Sequence, residues 1–268
     1  MEENMKIIRR LLAVLFITLT ITETVFGDHP LVTDDTGTQG AGKFQIEVNS
    51  EFTNDKETVA GVVIKEKGGE VVTILSYGLI DNLDIVLGMP YQWKKVKENG
   101  IIISDEKGFS DMPIELKWRF FENDGLSFAL KPGLTLPTGN ENKGLGNGKL
   151  SYGLTFITTT AIEPWAFHFN LGYIYNRYKL QADKDANRNG IWHVSIASEV
   201  EVVKDLKVVA NIGMERNPDK TSNTHPVFIL GGLIYSVTEN FDIDVGIKGG
   251  LTKPETDYSV LAGVTCRF

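Results

Sequence analysis

The stretch DMPIELKWRF, residues 111–120, decides the fold. Met112, Ile114, Leu116, Trp118 and Phe120 share one parity, while Glu115, Lys117 and Arg119 share the other. Successive side chains on a strand point to opposite faces, so this is a strand with one apolar and one charged face. A secreted β-sandwich would bury the apolar face in a core and would not need charge at nearly every alternate position. A strand between lipid and water needs both faces as written.

The same alternation recurs on either side. In KFQIEVNSEF (43–52), Phe44, Ile46, Val48 and Phe52 oppose Gln45, Glu47, Asn49 and Glu51. WAFHFNLGYIY (165–175), IWHVSIASEVEV (191–202) and FDIDVGIKGGL (241–251) repeat the pattern. Short turns fall at Ile80-Asp81-Asn82, Glu122-Asn123-Asp124, Ile162-Glu163-Pro164, Lys204-Asp205 and Thr238-Glu239-Asn240. Longer polar connections are expected near 54–69, 94–110, 137–149, 179–190, 216–226 and 252–257. YGLIDNLDIVLG (77–88) and YSVTENFDIDVG (235–246) are related, which makes a hairpin the repeating unit.

Short turns alternating with long polar loops mark an outer-membrane barrel. The reading gives an all-β fold: a transmembrane antiparallel β-barrel of about twelve strands, with both termini on the short-turn, periplasmic side. In hydrocarbon every backbone N–H and C=O must be paired, and a closed barrel achieves this without a free edge. The ending GVTCRF alternates through Val264, Cys266 and Phe268. Phe268 resembles the C-terminal signal by which barrels reach the outer-membrane insertion machinery. Trp93, Trp118, Trp165, Trp192, Tyr91 and Tyr175 stand near strand ends, as interfacial girdle residues would.

Residues 1–27 read as a signal peptide. Lys6, Arg9 and Arg10 precede the apolar run Leu11 to Phe26, and Val25 and Gly27 are small enough for a cleavage site. The run is short of the ~20 apolar residues of a membrane helix and contains Glu23. The remaining domains are an N-terminal periplasmic segment, 28–42, and the barrel, 43–268. Outer membrane of a Gram-negative-type bacterium is the implied location. The net charge of −8 argues against a nucleic-acid partner, and a single cysteine, Cys266, excludes an internal disulfide.

The lumen is the main candidate site. Its lining is expected to include Glu47, Glu51, Glu115, Lys117, Arg119, Lys131, His168, His193, Glu199, Glu201, Lys207, Glu215, Asp242, Asp244, Lys248 and Arg267. Such charges either border a solvated channel or pair and plug it. Eight strands leave a filled interior and ~16–18 an aqueous channel, with twelve between them.

Other motifs are weaker. D-x-N-x-N-G from Asp185 has calcium-loop spacing, but Ile196 stands where the bidentate acid belongs, so a polar loop tip is expected. No two of His29, His168, His193 and His225 have metal-ligand spacing on one element. His168 and His193 fall on the lumen face of neighbouring strands. A membrane-embedded hydrolase would need Ser and His on the outer wall, or paired acid and His groups at the rim; His225 with Asp105 or Asp219 is the only material. No catalytic residue, cofactor or metal is expected.

The stretch HPLVTDDTGTQGAGK (29–43) carries adjacent carboxylates, Asp34 and Asp35, among Thr33, Thr36 and Gly37. The bland reading is a capping turn before the first strand, on the periplasmic side. A minor alternative folds this segment into the barrel mouth and narrows it.

Three segments carry a family resemblance. HPLVTDDTGTQGAGKFQIE (29–47), LPTGNENKGLGNGK (136–149) and YGLIDNLDIVLGMPY (77–91) resemble, in order, stretches of an outer-membrane transporter family related to the meta-pathway of phenol degradation. Asp34, Asp35, Gly37, Pro137, Thr138 and Gly139 are the motif positions; His29 stands where an arginine is common. The resemblance implies an outer-membrane channel admitting small organic or aromatic compounds by passive diffusion, in contact with outer-membrane lipid. The alternative is a structural or ligand-sensing barrel whose lumen is closed by its own charge pairs.

Overall fold

The computed structural model describes residues 29–59 and 61–268, so the signal-peptide reading of 1–27 lies outside the described residues. The strands are β1 (Phe44–Val59), β2 (Val62–Ile80), β3 (Leu83–Glu98), β4 (Ile101–Phe109), β5 (Met112–Asn123), β6 (Leu126–Leu136) and β7 (Ser151–Ile162). After these come β8 (Trp165–Tyr175), β9 (Gly190–Val203), β10 (Leu206–Glu215), β11 (Val227–Thr238), β12 (Phe241–Gly250) and β13 (Tyr258–Arg267). The one α-helix among the described residues is α1 (Gln181–Ala186).

All pairings are antiparallel. β1 pairs β13 on one side and β2 on the other, and β2–β3 pairing closes the ring. β3 pairs β5 from Leu83 to Leu87 and β4 from Tyr91 to Glu98. β4 and β5 are therefore one stave interrupted at Ser110-Asp111, and the barrel has twelve staves. Spanning needs ~9–11 tilted residues, which β5, β6 and β8 supply with 12, 11 and 11.

The two faces of the wall separate as the alternation requires. Val245, Ile247, Leu154, Leu171, Ile212 and Leu233 are exposed on the outside, while Asp242, Asp244, Lys248, Lys131, Asn170 and Asn211 are buried on the inside. An apolar surface of this extent belongs against hydrocarbon, not water. Trp118 lies tilted against Phe120, and Phe128 lies between Phe120 and Phe156, so an aromatic belt runs across β5, β6 and β7 near the short-turn end. No described helix is long and apolar enough to cross a membrane; the crossing is made by strands. Phe268 stacks on Phe44 at 4.7 Å and exchanges backbone hydrogen bonds with it, which seals the join between the chain ends.

Two expected loops are strands. Residues 54–69 and 94–110 continue β1 to Val59, start β2 at Val62, continue β3 to Glu98 and form β4. β1, β2 and β3 reach 16, 19 and 16 residues, more than a crossing needs, so a four-stranded sheet rises beyond the rim. Outside the hydrocarbon both faces of a strand meet water, and apolar alternation vanishes. Lys65-Glu66-Lys67 and Lys94-Lys95 therefore read as loop, although Lys94 pairs with Glu66 at 2.7 Å and Lys95 with Asp105 at 2.8 Å. The β3–β4 turn has φ values of 46° at Asn99 and 90° at Gly100, the positive pair a tight hairpin requires.

Candidate functional site

The site is built by the chain's own N-terminal segment inside the wall. The segment expected on the periplasmic side, 28–42, with folding into the barrel mouth as the minor alternative, follows that alternative: residues 29–43 lie along the inner surface as a band that meets the staves almost in order. Gly42 donates to the Gly78 carbonyl of β2 at 2.9 Å, and Gln39 donates to Asp84 of β3 at 2.9 Å. The Thr36 hydroxyl meets that of Ser127 of β6, and the Thr36 N–H donates to the Thr159 hydroxyl of β7 at 3.0 Å. Val32 and Thr33 donate their N–H groups to Asn211 of β10 at 2.8 and 3.0 Å, and the Thr33 hydroxyl donates to Ser195 of β9 at 2.7 Å. His29 pairs with Asp244 of β12. Fifteen extended residues reach roughly 50 Å, enough for such a circuit.

Asp34 is the centre of the band. It is fully buried, with one carboxylate oxygen 2.9 Å from Lys117 Nζ and the other 2.8 Å from Lys131 Nζ. Lys131 also reaches Glu115 at 3.1 Å. Asn170 of β8 binds the Asp34 backbone as a strand would: its side-chain oxygen accepts the N–H at 2.7 Å and its amide donates to the carbonyl at 2.7 Å. Asp35 does what the capping reading expected, accepting the Gly37 N–H in a local turn, with Lys117 at 3.6 Å. The capping reading of Asp34 is corrected. A tight turn needs a neighbouring donor, and Asp34 takes ammoniums from β5 and β6.

Apolar groups complete the anchoring. Leu31 packs with Ala197, Val209, Leu230, Ile234 and Leu261, all on inward positions of β9, β10, β11 and β13. Pro30 lies against Gly232 and Gly246, where an added methyl would stand 2.6 and 2.8 Å from its ring. A strand glycine often marks the close approach of another backbone. That signal could have located the band from sequence, since a methyl at Gly78 would collide with the Gly40 carbonyl.

The remaining sequence candidates occupy inward registers at several levels. Glu47 accepts from Gln45 and Asn49 at 2.8 and 3.1 Å, and Arg267 pairs with Asp242 at 2.5 Å. Glu199 pairs with Lys207 at 3.0 Å, whereas Arg119 reaches along its own strand to Glu122 at 3.2 Å. Glu201 is exposed at the short-turn end and accepts the Asp205 N–H. Nearer the outer mouth, Lys248 binds Glu51 at 2.7 Å and stands 3.9 Å from Glu255, with Glu215 on the last position of β10. Burial raises the Glu255 carboxyl above its ordinary value, and the Lys248 ammonium opposes this.

His168 and His193 are not brought together. His168 meets Thr159 at 3.0 Å, and His193 lies over Gly172, four register steps away. No group of three or more metal-ligating side chains forms among the described residues. The D-x-N-x-N-G stretch begins in α1, where Asp185 accepts from Gln181 at 2.8 Å. The charge-based reading also missed apolar inward positions. Val72, Ile74 and Val86 cluster inside β2 and β3, and Ala129 faces Ile157 across β6 and β7.

The 136–149 motif folds over the stave interruption. Asp111 is buried and accepts the Gly139 N–H at 2.9 Å through one oxygen and the Asn147 N–H at 2.7 Å through the other. The Thr138 hydroxyl donates to the Ser110 carbonyl at 3.0 Å and accepts the Met112 N–H at 3.0 Å. Pro137, lacking an N–H, ends the β6 ladder at Leu136. Leu145 is buried against Gly108, and Lys143 pairs with Glu106 at 3.2 Å, so the loop leans on the raised sheet.

A twelve-stave barrel with this inner band and outer clamp coincides with a family match over residues 28–268, to the family described as "Putative MetA-pathway of phenol degradation". The chain belongs to that family. Among solved structures, an outer membrane channel from Pseudomonas putida F1 is similar with a TM-score of 0.69 at 14% identity, covering 87% of this chain and 98% of that one. The translocator domain of the autotransporter NalP from Neisseria meningitidis aligns with a TM-score of 0.51 at 13% identity, over 85% of this chain and 89% of that one. The KdgM porin aligns with a TM-score of 0.51 at 11% identity, over 84% and 99%. At these identities the likeness is one of fold, that of a closed antiparallel β-barrel. No curated protein matches it.

Proposed function

We propose that this barrel is a passive outer-membrane channel for small organic solutes, without enzymatic activity, inserted through its C-terminal strand after export by residues 1–27. One observation carries the reading. The inner wall mixes paired polar and charged groups with apolar patches, as at Lys131 beside Ala129 and Ile157, and at Val72, Ile74 and Val86 on the staves that carry the Glu70–Gln92 pair. Such a wall suits solutes that have an apolar body and a polar group, aromatic compounds among them. The related outer membrane channel of Pseudomonas putida F1 supports the channel half of the proposal by its fold.

A closed-lumen barrel is the second reading, favoured by the band of residues 29–43 and its buried pairs. Refolded protein in planar bilayers and in vesicle-swelling assays separates the two. Solute-dependent swelling and discrete current steps are expected. A heat-modifiable barrel that conducts nothing and admits no solute would instead establish the closed form.

A further inference from the structure

We propose that Lys117 and Lys131 form a carboxylate-binding site of the lumen, occupied in the resting structure by Asp34 and open to a small organic acid when the band leaves. The proposal rests on the channel reading and names its solute class.

The two ammoniums come from adjacent staves and converge on one buried carboxylate, one on each oxygen at 2.9 and 2.8 Å. Like charges on neighbouring strands repel, so the arrangement calls for an anion between them. Glu115 supplies one negative charge at 3.1 Å from Lys131, and Asp34 supplies the next. Withdrawal of the band takes the Asp34 charge from between two cations in a site shielded from water, which is costly. An incoming carboxylate replaces that charge. Opening and anion binding are thereby linked, because the ligand favours the state whose site it can enter. Ala129 and Ile157, both fully buried on the inner face of β6 and β7, offer an apolar wall two positions from Lys131. Asn170, released from the Asp34 backbone, adds a donor and an acceptor beside Ile157 on β8. The matching ligand is a carboxylate on an aromatic or alkyl body.

The test uses refolded full-length Asp34→Ala, with benzoate and the uncharged benzyl alcohol as probes. Benzoate at millimolar concentration is expected to raise the temperature of heat-modified unfolding saturably. Benzyl alcohol is expected to do nothing, and the benzoate effect should vanish in Asp34→Ala with Lys131→Met. Equal effects of the two probes, or a benzoate effect that survives Lys131→Met, would overturn the site. Should Asp34→Ala not fold, Thr36→Cys in a Cys266→Ser background reports on the native band, since Thr36 is buried. Benzoate should then speed maleimide labelling several-fold relative to benzyl alcohol, and equal rates would overturn the proposal. Bilayer recording keeps the two readings apart. Benzoate binding without any current defeats the channel and leaves the site, whereas current with no benzoate effect defeats the site and leaves the channel.

Discussion

Asp34 in the lumen and Asp111 at the outer rim are both buried carboxylates with both oxygens occupied. Their partners differ in kind. Asp34 is met by two ammoniums 83 and 97 residues away, and Asp111 by two backbone N–H groups 28 and 36 residues away. The first ties a segment to the far side of a closed wall; the second ties a loop to the stave it overhangs. Charge partners cannot be left behind inside a barrel without cost, whereas backbone donors at a rim can turn to water. Loss of the first anchor should therefore be felt by the whole barrel, and loss of the second by one loop.

Lys131→Met tests that contrast most severely. It leaves Asp34 and Glu115 buried with one ammonium fewer, and breaking a buried pair costs about 3–5 kcal/mol. Urea unfolding in lipid vesicles should show the loss as a shifted midpoint for the entire barrel. Adding Glu115→Gln should recover part of it, since residues in one ion-pair network are not additive. A Lys131→Met barrel as stable as the parent would remove the lumen cluster from any role in holding the band.

Asp111→Asn should cost less and act elsewhere. The amide oxygen still accepts one of the two N–H groups, while its NH2 faces the other, a loss of about 1–3 kcal/mol. The expected result is faster protease cleavage within 137–149 with an unchanged urea midpoint. A global midpoint shift would mean that the loop and the wall form one cooperative unit. Thr138→Val is milder, removing two hydroxyl hydrogen bonds at about 0.5–1.5 kcal/mol each, and should speed cleavage in the same loop.

The two anchors were unequally legible in the sequence. The wall was readable because lipid outside and polar groups inside impose a period of two, so DMPIELKWRF announces both faces at once. The rim loop was readable as a loop and as a motif, because Pro137 and Gly139 punctuate it. The band was not readable as a band, because Thr33, Asp34 and Thr36 have no periodic relation to Ser195, Lys131 or Ser127. Its traces lay in the partners: Gly78, Gly232 and Gly246 on inward positions where a larger side chain would have fitted an empty lumen. The raised sheet was misread for the opposite reason. A strand wet on both faces has no alternation to show, and Lys65-Glu66-Lys67 satisfies its backbone across β2 and β3 just as an apolar strand would.

The sharpest version of the comparison lies within one dipeptide. Asp34 and Asp35 are chemically identical neighbours, yet Asp35 spends one oxygen on the Gly37 N–H and stands 3.6 Å from Lys117. An asparagine at 35 keeps an acceptor for that N–H, and the same turn forms with either residue. Asp35→Asn should thus shift the unfolding midpoint by no more than about 0.5–1 kcal/mol, within the reach of a weak ion pair. Asp34→Asn, which puts an amide between two ammoniums, should fall near the Lys131→Met loss. If the two asparagine variants proved alike, the distinction between a turn-forming carboxylate and a charge-locking one would collapse, and the band would be held by its other contacts, among them those to Asn170 and Asn211 and the packing of Leu31.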